Sequence, residues 1–436
     1  MQTPKPQLSF RQIINMNVGF LGIQYSFGLQ QNAINPLYTF LHASPEDLPM
    51  LNLAGPLTGL LVQPIIGAMS DKTWHPRWGR RKPYFLIGAL LCSICLFIFP
   101  FSSSLWMAVG LLWVLDAANN TAMEPYRAFV ADKLPDNQQA VGFLSQSFFT
   151  GFGITLAAAS LWIFKQIMDG VTPSGIPYWV FGSFFVGAIC SIGSVLWSVI
   201  KTPEIPPSET ELAEIRSEKK GFLQPFSDIF VAIKVMPKQM WQLALVYLFQ
   251  WYALMCYWQY ISHSIAQSVW HTSSEKNLKL YEDAAAWTGL VNSFYNVITF
   301  LSAFGLVWLA KKYSAKMVHA ICLIMAAISL FIIPTIENKY LLFAPMIGFG
   351  IAWASIMGVP YIMIANSIPK KRYGVYMGIV NMMIVVPMLI QNITFGSIYK
   401  HLLNQNPANA ILFAGVLLIL AACATLLMRS KKYTEA

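Results

Sequence analysis

Charge is scarce in this sequence. Asp, Glu, Lys and Arg make up 11% of its 436 residues, against about 25% in an ordinary soluble domain. Acids are the scarcer sign, 19 against 29 bases, while 56% of the chain is hydrophobic. Such a composition excludes a conventional water-soluble domain and suits lipid. Also missing are a nucleophile–base pair, a Gly-rich phosphate loop and a metal-ligand cluster. Neither catalysis nor ATP-driven transport is therefore expected, nor any cofactor or metal. The six cysteines (Cys92, Cys95, Cys190, Cys256, Cys322, Cys423) all fall in apolar runs. Cys92 and Cys95 have C-x-x-C spacing but no second pair or nearby His, so they read as packing residues. The first apolar segment starts near Ile13, is long and has no A-x-A-like exit, so it is expected to stay in the mature protein.

What is present is a series of apolar runs of about 20 residues, the length that crosses a bilayer. Twelve are expected, near 13–40, 48–69, 83–103, 105–131, 140–164, 177–200, 241–264, 284–310, 315–335, 340–366, 374–399 and 408–428. The first carries enough polar residues to be irregular. The net charge of +10 comes from bases in the short loops between these runs, which sets orientation rather than binding nucleic acid. Alternate loops hold Arg80-Arg81-Lys82, Lys311-Lys312 and Lys370-Lys371-Arg372. The opposite side holds only Lys165, Lys276, Lys279, Lys339 and Lys400. Both termini are accordingly expected in the cytoplasm.

The expected architecture is an all-α integral membrane protein of twelve transmembrane helices in two six-helix bundles, 1–200 and 241–436. A cytoplasmic linker, 201–240, joins them. Within it, a capped helix is expected from Ser208 through Glu209, Glu211 and Glu214, then an interfacial helix over 222–235. Pro125-Tyr126 with Ala131 and Pro135 echoes Pro360-Tyr361 with Ala365 and Pro369, as a parallel repeat of six and six would.

The fourth run carries Asp116, Asn119, Asn120, Glu124 and Arg127. Ionisable groups at membrane depth cost about 3 kcal/mol each on insertion scales, so they mark function. At about 100° per residue, Arg127 returns to within about 20° of Asp116, some 16 Å further along (at ~1.5 Å per residue). That is too far for a salt bridge and suits two stations on one wet path. Burial favours the neutral form of a carboxyl, so Asp116 is suited to taking up and releasing a proton. The alternative is a structural Asp bonded to Asn119 or Asn120; for Arg127 it is a lock on Glu124 or on another helix.

Between the second and third runs stands Gly67-Ala68-Met69-Ser70-Asp71-Lys72, then Gly79-Arg80-Arg81-Lys82-Pro83. Gly67 suits close helix approach, and Asp71 is placed to pair with Arg80 or Arg81 in a cytoplasmic gate. Asp132 is expected in the same charge lattice. This loop resembles the signature of the major facilitator superfamily, in the lengthened form of sucrose-transporter-like disaccharide:proton symporters. The stretch from Leu115-Asp116 through Pro125-Tyr126-Arg127-Ala128 to Ala131-Asp132 resembles the fourth-helix motif of that family. The resemblance implies the superfamily fold, proton binding at Asp116 and a transport-path role for Arg127. Plant-type members carry acids in the seventh and eighth spans; the stretches 256–260 and 292–296 here have none, which is closer to bacterial-type members linked to maltose-type sugars.

A sugar site needs neutral hydrogen-bonding groups and flat apolar faces. Those expected to serve are Gln24, Gln30, Gln31, Asn119, Asn120, Gln146, Gln250, Trp258, Gln259, Asn292, Asn296 and Asn381, with Arg127. Each taken singly also suits interhelical hydrogen bonding. Together they favour a neutral polyhydroxylated ligand over a lipid or an ionic drug. His263, near the outer end of the seventh run, reads as a rim residue. The expected function is proton-coupled symport of a maltose- or sucrose-type α-glucoside across the inner membrane by a monomer, with sugar, protons and lipid as its partners. The alternatives are a sodium-coupled or facilitative glycoside carrier and, from another class, a membrane sugar receptor.

Overall fold

A computed structural model describes residues 5–207, 209, 212–213, 233–364 and 373–428. They divide into two compact units, Met1–His42 with Ala54–Pro225, and Ala43–Leu53 with Phe226–Ala436. Long helices dominate both, and strand pairing among the described residues is confined to the isolated bridges His75–Gly79 and Val171–Pro177.

In the first unit, α1 (Phe10–Asn17) opens with a reciprocal cap, Ser9 to Gln12 and back. The expected irregularity of the first run is a break at Val18, after which α2 (Gly19–Phe40) begins. Then come α4 (Ala54–Lys72), α5 (Lys82–Ile98), α6 (Leu105–Lys133), α7 (Asp136–Lys165) and α8 (Tyr178–Lys201). The short α3 (Leu48–Leu51) lies in the segment that packs with the second unit. Helix α2 packs on α7 and α8, and α6 lies between α4 and α5. The close approach of α5 to α6 depends on Gly88, where a Cβ would meet Ala118 O at 2.6 Å and Ala122 N at 2.7 Å. The inward cluster includes Phe20, Phe85, Met123, Tyr126 and Phe129.

The second unit holds α9 (Lys238–Val269), α10 (Leu278–Lys312), α11 (Ala315–Ile332), α12 (Phe343–Ile364), α13 (Tyr373–His401) and α14 (Pro407–Leu427). Here α9 packs on α14 and α13, and α12 on α10 and α11. Prolines stand inside α2, α4, α6, α12 and α13, which membrane helices tolerate.

By length and composition, eight of these elements are apolar enough to cross a membrane. The long helices outside that set, which was drawn from the described residues, are α2, α6, α9 and α10. They carry Gln24 to Asn32, Asp116 to Arg127, Gln250 to His263, and Glu282 to Asn296 respectively. The helices weakest in hydropathy are therefore those carrying most of the expected site residues. The helices expected at Ser208–Glu214 and over 222–235 lie largely outside the described residues, as do Ala365 and Pro369.

Candidate functional site

Asp116 is 3% exposed in the middle of α6. Its Oδ2 accepts from the Thr58 hydroxyl on α4 and from Asn120 Nδ2 at 2.9 Å. Asn120 also donates to the Asp116 carbonyl at 2.9 Å, while Gln63 Nε2 donates to Asn120 Oδ1 at 2.6 Å. Gln30 approaches the carboxyl from α2, with its amide nitrogen buried. Every recorded partner is neutral, and among the described residues no cation reaches Asp116. A carboxylate buried without a counter-charge is costly. This pocket therefore suits a group that is neutral for part of its cycle.

Arg127 lies further along the same helix with an exposed side chain. Among the described residues it makes no ion pair, so the lock on Glu124 is not formed. Glu124 is half-buried beside Gly67, where a Cβ would sit an ordinary 3.6 Å from its Cγ. Within this unit Gly67 therefore has room for a methyl group, contrary to its expected role, and the tight helix contact belongs to Gly88. Asn119 turns away from Asp116. Its Nδ2 donates to Ser26 Oγ at 2.8 Å and its Oδ1 accepts from Cys92 Sγ at 3.3 Å, so its amide is committed to packing α2, α5 and α6. Gln24 reaches Met123 Sδ at 3.9 Å. Gln31 is half-buried, and Gln146 is buried with its amide nitrogen unpaired.

At the end of α4 the charge lattice is in place. Arg81, 5% exposed, binds Asp71 Oδ1 at 2.6 Å through Nη2 and Asp132 Oδ2 at 2.8 Å through Nε. Its Nη1 donates to Ser70 Oγ at 2.7 Å, while Arg80 reaches Asp71 only at 3.4 Å. Burial by itself would make Arg81 a stronger acid; the carboxylates of Asp132 and Asp71 outweigh it and raise its affinity for the proton.

Glu204, just beyond α8, is a member of this cluster that sequence reasoning missed. Its carboxylate accepts from the backbone N–H of Arg80 at 2.7 Å, Arg81 at 2.9 Å and Lys82 at 2.9 Å. It thus occupies the positive start of α5. Gly79 allows this with φ +76°, and any Cβ there would collide with the Glu204 carboxyl. Lys133 Nζ donates to Pro203 O at 2.7 Å and ties the same segment to α6.

The second unit has its own buried polar network. Gln391 Nε2 donates to Gln259 Oε1 at 2.7 Å, Gln259 Nε2 to Asn392 Oδ1 at 2.9 Å, and Asn392 Nδ2 to Asn52 O at 3.1 Å. Gln250 Oε1 lies 3.0 Å from His319 Nε2, whose Nδ1 is 2.9 Å from Ser355 Oγ. Asn292 accepts from Tyr257 OH at 2.6 Å, and Asn296 donates to Asn292 O at 2.8 Å. Asn381 is half-buried in α13. Trp258 and Trp251 both stand edge-on to Trp353, with centroids 5.6 and 6.0 Å away. Trp353 and His319 were not singled out from sequence; both are single polar-edged residues in otherwise apolar runs. Glu282 was missed because the eighth run was drawn from 284. The helix starts at Leu278 and buries Glu282 at 6% exposure, so the absence of acids holds for 292–296 and not for the whole helix.

The comparisons fit this geometry. The family model described as Major Facilitator Superfamily matches residues 16–392. The sucrose transport protein SUT5 of Oryza sativa subsp. indica is 24% identical over 451 aligned residues, covering 89% of this chain and 83% of that protein. The sucrose transport protein SUC4 of Arabidopsis thaliana is 24% identical, covering 90% and 85%. Among solved structures, the nucleoside transporter NupG superposes with a TM-score of 0.68 at 14% identity, covering 96% of this chain and 100% of that one. The xylose transporter XylE from E. coli does so with 0.66 at 14%, covering 98% and 99%.

Proposed function

The chain belongs to the Major Facilitator Superfamily, and we propose that it moves a disaccharide of the maltose or sucrose type across the membrane together with a proton, by alternating access. The observation that carries this reading is Asp116, buried in α6 with neutral partners from α4 and α6 and with an exposed Arg127 on the same helix. A carboxyl so placed gains by protonation when buried and by ionisation when wetted, so its proton can be linked to the state of the carrier. The relatives named as sucrose transport proteins support a disaccharide, and the amides of both units support a neutral, hydroxyl-rich ligand. In this reading the protein is a monomer in the inner membrane, its termini are cytoplasmic, and the Asp71–Arg81–Asp132 lattice with Glu204 serves the cytoplasmic gate.

The test is uptake of radiolabelled maltose and sucrose into proteoliposomes, with an imposed inward proton gradient and without one. Accumulation that needs the gradient supports proton symport. Equilibration that ignores it indicates a facilitative carrier, and accumulation that follows sodium instead assigns the coupling to that ion.

A further inference from the structure

The second unit contains a cavity of 670 Å³ that no role assigned above uses. Three pieces of chain distant in sequence build it: 44–46, the loop 271–276 after α9, and the turn 404–407 between α13 and α14. By the charge bias of the loops, this is the outer end of the unit. The geometry points to an outer binding site for a neutral polyhydroxylated solute, where the sugar waits before it enters the transport path. This rests on the sugar-transport reading.

The volume lies within the roughly 300–1,000 Å³ of small-molecule sites. The walls mix polar groups with apolar faces such as Pro45, Tyr399 and Pro407, as a sugar site needs, and with Lys400 behind Glu46 their charges balance. Glu46 is a fixed wall, bound by Lys400 Nζ at 3.2 Å and by Gln405 Nε2 at 3.0 Å. Glu275 is accompanied in the lining by Lys276. A lipid would lose by leaving its own phase for this surface, and an ion would find no net counter-charge. A sugar exchanges water for amides and hydroxyls at little loss, and Gln267 and Asn404 offer such groups here.

The site is built rather than incidental. His263 and Tyr399 line it while being 5% and 2% exposed. Tyr399 OH donates to Gln405 O at 2.8 Å, and Tyr260 OH donates to Pro45 O at 2.7 Å, which fixes two walls. The described non-glycine residues with positive φ are His42, His271, Asn404 and Gln405, and the last three line the cavity. His271 is the left-handed cap of α9, with Thr272 N–H donating to Ala266 O at 3.1 Å, and Asn404 and Gln405 form the turn after α13, so ordinary helix ends fix the backbone of two walls.

The test is equilibrium binding of radiolabelled maltose to the purified full chain carrying Asp116→Asn, with uptake by the unaltered protein measured in parallel. Two classes of site are expected, and adding Gln267→Ala with Asn404→Ala removes one of them. In the protein that keeps Asp116, the same pair raises KM for maltose about fivefold, as the loss of neutral hydrogen bonds does, with kcat unchanged. Glu275→Gln alone leaves binding within about twofold, because the ligand is neutral. Maltose uptake with a single class of site that ignores the pair overturns the proposal and leaves transport standing. Maltose binding lost in Glu275→Gln but kept in the pair also overturns it, because the carboxylate and not the neutral amides would then hold the sugar. Pair-dependent binding without uptake sustains the site and removes the transport reading.

Discussion

At the scale of single residues, Asp116 and Asn119 sit three positions apart on α6 and do different work. Asp116 faces Thr58 and Asn120, an environment without a counter-charge. Asn119 faces Ser26 and Cys92 inside the helix packing. Asp116→Asn keeps size and most hydrogen bonds and removes only the exchangeable proton. We expect gradient-driven accumulation to fall to the level of simple equilibration, while exchange of internal for external sugar survives; accumulation that still follows external pH in this variant would sink the coupling role. Asn119→Ala takes the amide donor from Ser26 and leaves it only the weak Cys92 thiol at 3.1 Å, and loss of a buried hydrogen bond costs about 1 kcal/mol. Its effect should appear as a lower thermal midpoint in detergent with KM unchanged. A raised KM at unchanged stability would return Asn119 to the sugar site. Asp116 was legible because a carboxyl in an apolar run is conspicuous. The partners of Asn119 were not legible, because helical spacing gives an angle about the axis, while its contacts on α2 and α5 are set by packing.

At the scale of elements, the helices were legible and their joints were not. The expected runs correspond to long helices because hydropathy reports each segment by itself. Glu204 binds three N–H groups more than a hundred residues away, which no local pattern reports. Pro203-Glu204 reads only as a polar exit. Glu282 was lost to a boundary six residues late, since the first turns of α10 are polar. These joints carry two predictions. Gly79→Ala adds a methyl at φ +76° into the Glu204 carboxyl and should cost about 1–3 kcal/mol, read as a lower thermal midpoint. Glu204→Gln in the same background should recover none of that loss, because it keeps the side chain in the way. Arg81→Lys retains charge but cannot hold Asp71, Asp132 and Ser70 together. We expect an intact fold by circular dichroism and a loosened α4–α5 end of the first unit, seen as faster hydrogen exchange in 70–82; unchanged exchange would demote the lattice to a surface decoration.

At the scale of the whole molecule, the question is how many helices cross the membrane and which way they face. Hydropathy alone recognises eight elements. The four long helices outside that set carry most of the expected site residues, so a hydropathy threshold applied to the described residues is not a count of spans. The charge bias is independent of that threshold, since it counts loops rather than helices. If α2, α6, α9 and α10 all cross, the loops at His75 and Tyr313 lie on one side and those at Asp169 and His401 on the other. If any one fails to cross, the alternation breaks downstream of it. Single cysteines at those four exposed positions, placed in a chain with the exposed Cys423 replaced, should divide cleanly. A membrane-impermeant maleimide should label Asp169→Cys and His401→Cys in intact cells, and His75→Cys and Tyr313→Cys only after lysis. Labelling of Tyr313→Cys from outside with His75→Cys protected would mean that an odd number of helices crosses between them, and the two six-helix bundles would no longer share one orientation.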